Sequence, residues 1–523
     1  MKIITSLITG FSFLYSCLTF GQGFSSQQID SLVNQSMQMM PQVGIAVAVI
    51  ENGKIIHSKG YGKLSIHSDE LVDENTLFQI ASNTKAFTTA ALAILVDEKK
   101  IAWNDRVIDY IPEFTMYEDY VRKHFTIIDL LTHRSGLGLG AGDLMFFPPG
   151  ADFKIKDVLR SFQFLNPVSD FRTKYDYDNL LYLVAGELIT RVSGQSYDEF
   201  IEDHIFKPLN MGRTACRYQR LKQKVNIAAA HSTENGIVRE VDRYVKGEGP
   251  LTASGGIYSS VSDMSKWLLL QLNQGKYGKN LEHRIFNPER QSEMWYPYTN
   301  IGFEIKPRPS YRWHYGAYGL GWFISIINNY TVISHSGGLP GMLSMVMIVP
   351  ELNSAVVVLT NSAPGGNSYS TISSAIRDKW IKRDRWDYLT NTKQQLELVA
   401  SNVDSELDQV WKTATISNIK KLQADVYLGT YEDKWFGKIN IENRDGKLWF
   451  QSQRSPQLNG EMFQYKQNTF AIKMSYTGMP CDAFATFEFD QMKMPIKIKM
   501  KGISPDIDFS FDYQDLNLVR VNH

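Results

Sequence analysis

The chain has 523 residues, too many for one ordinary hydrophobic core, so two or more domains are expected. Lys+Arg and Asp+Glu balance at 55 each with no long run of either sign, which argues against nucleic acid or an anionic membrane as the main partner. Apolar residues make up 43%, enough for compact cores and too many for a disordered chain.

Residues 1–21 hold one lysine, an apolar stretch shorter than a membrane span, and small residues leading to a cut after Gly21. That is the pattern of a secretory signal peptide, so the protein is expected to be exported, periplasmic or secreted. Cys17 lies in "LYSC", a distant likeness to a lipoprotein site, but the tyrosine argues against lipidation. Cys216 and Cys481 are the other cysteines, and with so few no disulfide framework is indicated. No later stretch is long and apolar enough to span a bilayer.

Residues 44–60 alternate as two strands joined at Asn52-Gly53, a strong hairpin signal. A helix is expected after residue 82, another over 180–193 closed by Gly194, and a third over 262–273 behind a Ser-Asp cap. Strands resume in "GLGWFISII", "YTVISHSGG", "LSMVMIVP" and "SAVVVLTNS". Strands at both ends with helices between predict an α+β arrangement, one antiparallel sheet flanked by a helical region. Residues 386–425 are polar and helix-prone, a linker. Beyond it "GKINIENRDGKLWFQS" predicts a hairpin at Asp445-Gly446, and "FAIKM", "ATFEFD", "PIKIKMKG" and "DFSFDYQ" predict further short strands of a small all-β barrel or sandwich. On this reading a chain ending near Asp425 keeps its fold without the β domain.

The chemistry centres on residues 78–96, "FQIASNTKAFTTAALAILV", whose one charged side chain is Lys85. A buried ammonium costs several kcal/mol unless it is paired or neutral. Either Lys85 reaches solvent from the first turn, or it shares a helix face with Ser82 at i and i+3 as base to nucleophile. Ser417 and Lys420 repeat the Ser-x-x-Lys spacing, so the motif alone decides nothing. Only the first match is followed by Tyr177-Asp178-Asn179 at a helix start and by His335-Ser336-Gly337 at a strand end. The alternatives fail locally: there is no G-x-S-x-G elbow, "GLGLGAGD" is not a dinucleotide loop, and the ten histidines include no H-E-x-x-H pair.

Ser-x-x-Lys, Tyr-x-Asn and a Lys/His-x-Gly strand, in that order, resemble the penicillin-recognising serine hydrolases. "LLTHRSGL", "IFKPLNMGRTA", "LTASGGIYSSVSDMSKWL" and "GLGWF" extend the resemblance to class C β-lactamases, penicillin-binding proteins and, above all, CubicO-type serine peptidases. It implies a β-lactamase/transpeptidase-like domain over 22–385, the linker over 386–425 and an all-β, lipocalin-like domain over 426–523. It implies an acyl-enzyme on Ser82 with Lys85 and Tyr177 as proton-handling partners. Either Lys85 is the free base, its pKa lowered by about three units or roughly 4 kcal/mol, or charged Lys85 holds Tyr177 as phenolate. Asn179, His335, Ser336 and Gly337 would meet substrate, and the N–H groups of Ser82 and Gly338 would form the oxyanion hole. His335 stands where class C β-lactamases have lysine, so it would assist docking or proton transfer unless it is a buried structural histidine. His133 would shape the wall of the site. The expected substrates are D-residue peptides or small esters, with β-lactams next, and no cofactor or metal is implied. A sensor that acylates without turnover, or a barrel ligand carrier, is the rival from outside the enzymes.

Overall fold

The computed structural model describes residues 23–40, 42–234, 237–242, 252–303, 313–363, 367–383, 387–417 and 424–521. The expected signal peptide, Cys17 and Lys420 lie outside the described residues.

Helix α1 (Ser26–Met39) starts on Ser25, which trades hydrogen bonds with Gln28, a capping box. Strand β1 (Gly44–Glu51) then turns into β2 (Lys54–Gly62). The turn residues Asn52 and Gly53 have φ of 49° and 71°, which an Asn-Gly pair adopts at little cost. The two-residue period of β1 sorts its faces. Ile45, Val47 and Val49 pack with Ile29 and Val33 of α1, while Ala46, Ala48 and Ile50 join the larger core. On that larger side lie α2 (Thr84–Asp97), α3 (Leu180–Ser193) and α4 (Val261–Leu272). Helix α3 ends at Gly194, whose φ of 75° makes it the left-handed cap.

Strands β3 (Thr299–Phe303), β4 (Trp313–Tyr318), β5 (Phe323–Ile327), β6 (Tyr330–Leu339), β7 (Met342–Val349) and β8 (Ser354–Thr360) complete the sheet. It has eight antiparallel strands in the order β2-β1-β8-β7-β6-β5-β4-β3. Helix α5 (Ser368–Trp380) covers the α1 face through Ile372, Ile376 and Trp380. The chain therefore has the α+β, β-lactamase/transpeptidase-like architecture expected of it.

The segment expected as a linker is mostly one helix, α6 (Tyr388–Ser417). Near its start the Tyr388 hydroxyl donates to Asp378 at 2.6 Å; further on, Trp411 meets the Phe463 ring edge-on at 5.8 Å. Strands β9 (Gly429–Asp433), β10 (Gly437–Arg444), β11 (Lys447–Ser452), β12 (Asn459–Lys466), β13 (Thr469–Met474), β14 (Ala483–Phe489), β15 (Pro495–Gly502) and β16 (Leu518–Arg520) close a barrel in sequence order. No helix among the described residues is long and apolar enough to cross a membrane.

Two expectations are corrected. "DFSFDYQ" (508–514) is not a strand. It belongs to the connection between β15 and β16, and its alternating Phe509 and Phe511 face another part of the chain rather than a sheet partner: the Phe511 ring lies 6.3 Å from Phe147. The β domain is also not independent of what precedes it. The Phe436 ring lies 5.7 Å from Phe153, and Arg454 covers Phe153 at 3.9 Å while pairing with Asp152 at 2.7 Å and Asp157 at 2.9 Å. Buried apolar residues of the barrel and of the helical region form one continuous cluster.

A chain ending at Asp425 is therefore expected to aggregate or to melt several degrees below the full chain. Opening a shared core belongs to the mechanisms whose losses reach about 4–5 kcal/mol, which at about 2.1 cal/mol/K per residue lowers the melting point of a part of about 400 residues by roughly 5–6 °C. Thermal unfolding of the soluble fraction measures it. A truncated chain that melts within about a degree of the full one would show the barrel to be dispensable for folding.

Candidate active site

Ser82 sits in a 3-10 turn, Ala81–Asn83, that runs directly into α2. The turn is held from the sheet: the Ser344 hydroxyl on β7 donates to the Ile80 carbonyl at 2.7 Å and accepts from the Asn83 amide at 2.8 Å. Ala81 has φ of 48°, a left-handed value that costs a residue with a Cβ about 1–2 kcal/mol. Such strain collects at functional sites because the surroundings hold it in place. Gly337 lets the strand come this close, since a Cβ there would stand 2.3 Å from the Ile80 carbonyl and 2.4 Å from the Ser344 hydroxyl. Ser334 is the last residue of β6 paired with β5. From His335 to Leu339 the strand pairs with β7 and lies against the Ser82 turn, with Gly338 exposed.

Lys85 does not reach solvent. Its side chain is 0% exposed and its Nζ lies within hydrogen-bond distance of the Ser82 hydroxyl at 3.1 Å, the Asn179 Oδ1 at 2.7 Å and the Ser254 carbonyl at 3.0 Å. The Nζ also lies 4.7 Å from the centre of the Tyr177 ring and 5.2 Å from that of Tyr182. Burial pushes its pKa down to about 7, with the charges of Asp143 and Asp178 opposing the fall. As a neutral amine it donates to Asn179 and Ser254 and keeps its lone pair for the Ser82 proton. Burial moves Tyr177 the other way, well above an ordinary phenol, and the Ser82 hydroxyl offsets this only in part. A phenolate at Tyr177 is thus the costlier of the two bases.

Asn179 precedes α3 but does not cap it; Asp178 does, accepting the Leu180 N–H at 2.9 Å. The Asn179 side chain instead spans the site. Its Oδ1 faces Lys85 and its Nδ2 donates to Asp143 Oδ2 at 2.7 Å. That carboxylate oxygen also accepts from the Ser510 hydroxyl at 3.0 Å, a residue of the β15–β16 connection. Asp143 is buried, and burial raises its pKa well above the ordinary value while the hydrogen bonds from Asn179 and Ser510 and the Lys85 charge pull it back.

His335 is 2% exposed and engaged at both nitrogens, Nδ1 with the Ser336 carbonyl at 2.6 Å and Nε2 with the Tyr318 hydroxyl at 2.8 Å. Burial lowers its pKa to about 3, so the ring is neutral. Neither nitrogen is free to meet a substrate in this arrangement, which departs from the expectation of a docking or proton-transfer residue. His133 packs its ring 4.2 Å from Tyr177 and 4.6 Å from Tyr318, and its Nδ1 accepts the Asp178 N–H at 3.1 Å. Its place is the wall behind Tyr177.

The structure thus gathers Ser82, Lys85, Tyr177 and Asn179, and lays Ser336, Gly337 and Gly338 on the strand beside them. Sequence reading missed Asp143, Ser254, Tyr318 and Ser510. Asp143 was visible only as the end of a glycine run, and Ser254 only within a family-like segment. Among the described residues no cluster of three or more His, Cys, Asp or Glu side chains is placed to hold a metal ion.

A profile of the Beta-lactamase family matches residues 29–378, and one described as a domain of unknown function, DUF3471, matches residues 415–520. The chain is 29% identical over 461 residues to the unguisins hydrolase ungD of Aspergillus violaceofuscus, covering 80% of this chain and 76% of that protein. It is 27% identical over 339 residues to the protein flp of Staphylococcus aureus, covering 64% of this chain and 63% of that relative, less than two thirds of its length. Among solved structures, the octameric penicillin-binding protein homologue from Pyrococcus abyssi superposes with a TM-score of 0.60 at 18% identity, covering 95% of this chain and 100% of that one. A likeness at that identity speaks to the fold alone.

Proposed function

The chain belongs to the Beta-lactamase family of serine hydrolases, and from that premise we propose that it is an exported enzyme that forms an acyl-enzyme on Ser82 and releases it to water. The observation that carries this reading is Lys85: a fully buried amine, its pKa brought down to about 7, 3.1 Å from the hydroxyl of a half-buried serine. Neutral Lys85 takes the Ser82 proton as Oγ attacks the substrate carbonyl. The N–H groups of Ser82 and Gly338 receive the oxyanion, at about 2.7–4 kcal/mol for each donor of this kind. The leaving group departs with a proton returned from Lys85, directly or through the Tyr177 hydroxyl. Water then repeats the sequence on the acyl ester. Asn179, with one amide face on Lys85, offers its remaining N–H to the substrate.

We assign the substrates as peptides bearing D-residues, or small esters. Class C β-lactamases carry a lysine where this chain has His335, and His335 is neutral. A neutral residue at that position supplies no attraction for a substrate carboxylate, so the site favours a neutral ester or a free amino terminus. The name of the Aspergillus relative, a hydrolase, accords with turnover. Export rests on the composition of residues 1–21.

The test is turnover of D-alanyl peptides, p-nitrophenyl esters and a chromogenic cephalosporin by the purified protein. Ester or D-peptide hydrolysis with slow cephalosporin hydrolysis is expected. A cephalosporin kcat/KM near 10⁶ M⁻¹s⁻¹, on the order of an efficient enzyme, would make it a β-lactamase. A stoichiometric burst with no turnover would make it a sensor.

A further inference from the structure

The β15–β16 connection leaves the barrel and lies along residues 140–147, the segment that carries Asp143. Three contacts fix it there. Asp512, 0% exposed, accepts the Gly142 N–H at 2.7 Å and the Leu144 N–H at 2.8 Å. Ser510 donates to Asp143, the same carboxylate that holds the Asn179 amide. The Phe509 carbonyl lies so close to Gly140, whose φ is 73°, that a Cβ there would stand 2.5 Å from it. Gly140 in turn donates its N–H to the Tyr177 carbonyl at 2.8 Å.

The same contacts leave one large apolar side chain beside the chemistry. The Phe509 ring stands 5.9 Å from the Tyr177 ring, edge to face, yet Phe509 is 37% exposed. Its neighbours Ser510, Phe511 and Asp512 are all buried. Where the loop meets residues 140–147 it thus buries Ser510, Phe511 and Asp512 but leaves the Phe509 side chain exposed, next to the tyrosine that flanks Lys85 and Ser82. An apolar surface in that place gains from burial when a substrate covers it.

We propose that this barrel loop is part of the substrate site: Phe509 is a specificity-determining residue, an apolar wall for the group attached to the scissile carbonyl, and Ser510 is a positioning residue that acts through Asp143 on Asn179. Asp143 Oδ2 accepts from the Asn179 Nδ2 and from the Ser510 hydroxyl, which leaves the amide oxygen turned to Lys85. Ser510 holds Asp143 in that role from the barrel.

The proposal deepens the acyl-serine reading and rests on it, so its test needs Ser82 to react but not to turn over. Alkyl fluorophosphonates of short and long chain are presented to the full-length protein, and labelling rates are followed by mass spectrometry. In that reaction the Ser82 oxygen bonds phosphorus, the P–F bond breaks, fluoride leaves and the proton passes to Lys85. The long chain is expected to label faster. Phe509→Ala should cut the long-to-short rate ratio about tenfold, the usual size of an apolar pocket's preference, and Phe509→Leu should keep most of it. Ser510→Ala should slow both probes alike, leaving the ratio intact, and Ser510→Thr should restore the rate because the hydroxyl returns. A rate ratio unmoved in Phe509→Ala overturns the specificity wall, and unchanged rates in Ser510→Ala overturn the positioning role. Absence of any label on wild-type Ser82 overturns this proposal and the acyl-serine reading together. Labelling with the expected ratios but no hydrolysis of any substrate leaves the wall standing and removes only the turnover.

Discussion

Ser82→Ala abolishes covalent capture by fluorophosphonate or penicillin probes and lowers kcat by about 10⁴–10⁶, the range seen when a serine nucleophile is removed. The size follows from the chemistry: without the hydroxyl no acyl-enzyme can form, and only the binding and oxyanion contributions over water remain. Folding should be little affected, because Ser82 is part-exposed and the contacts of its hydroxyl, with Lys85 and Tyr177, lie within the site. Intact-mass and peptide mapping of the labelled wild type read the result. An adduct on another serine, Ser417 included, would move the nucleophile elsewhere.

Lys85→Met is expected to cost about 10³–10⁴ in kcat, the contribution of a general base plus part of the nucleophile's activation. The wild type should also show an acid limb in its pH profile. With Lys85 titrating near pH 7, kcat/KM should rise about tenfold per unit below that value and level off above it. The Met variant should lack this limb. Stability carries a second signature of the same group. In the unfolded chain Lys85 keeps its proton to about pH 10.4, whereas the folded chain releases it near 7. Between those values the unfolded chain holds the extra proton, so rising pH stabilises the fold; below pH 7 the whole cost of the buried ammonium is present. Lys85→Met should therefore gain most on the wild type at or below pH 7, and the difference should shrink toward pH 10. Chemical denaturation across that range measures it. Activity near wild type in the Met variant would return Lys85 to the role of a packing residue.

What could be read from the sequence was what local chemistry decides. Asn52-Gly53 forces a tight turn wherever two alternating strands flank it, and Gly194 ends α3 because only a left-handed residue fits there. Ser82 and Lys85 stand one helical turn apart, so their meeting is nearly a property of the helix. Tyr177 and Asn179 were found only because a known motif order pointed to them. Asp143 and Ser254 escaped because their part is played through long-range hydrogen bonds, accepted by Asp143 from Asn179 and Ser510 and by the Ser254 carbonyl from Lys85. Phe509 and Phe511 show the opposite failure. Their two-residue spacing is a true strand signal, but the partner that buries Phe511 is Phe147, and nothing local distinguishes that from a neighbouring strand. His335 was legible as a motif position, while its pairing with Tyr318 depends on sheet register.

The amides of Gly142 and Leu144 find their acceptor, Asp512, 370 and 368 residues further along the chain. A polypeptide made from its N-terminus therefore presents Ser82 and Lys85 long before the residue that anchors the Asp143 segment exists. Contacts of such sequence separation close last and slowly. Ser82 and Lys85 are joined by one helical turn and need no such closure, so the Asp143 segment is expected to be the last part of the site to order during folding.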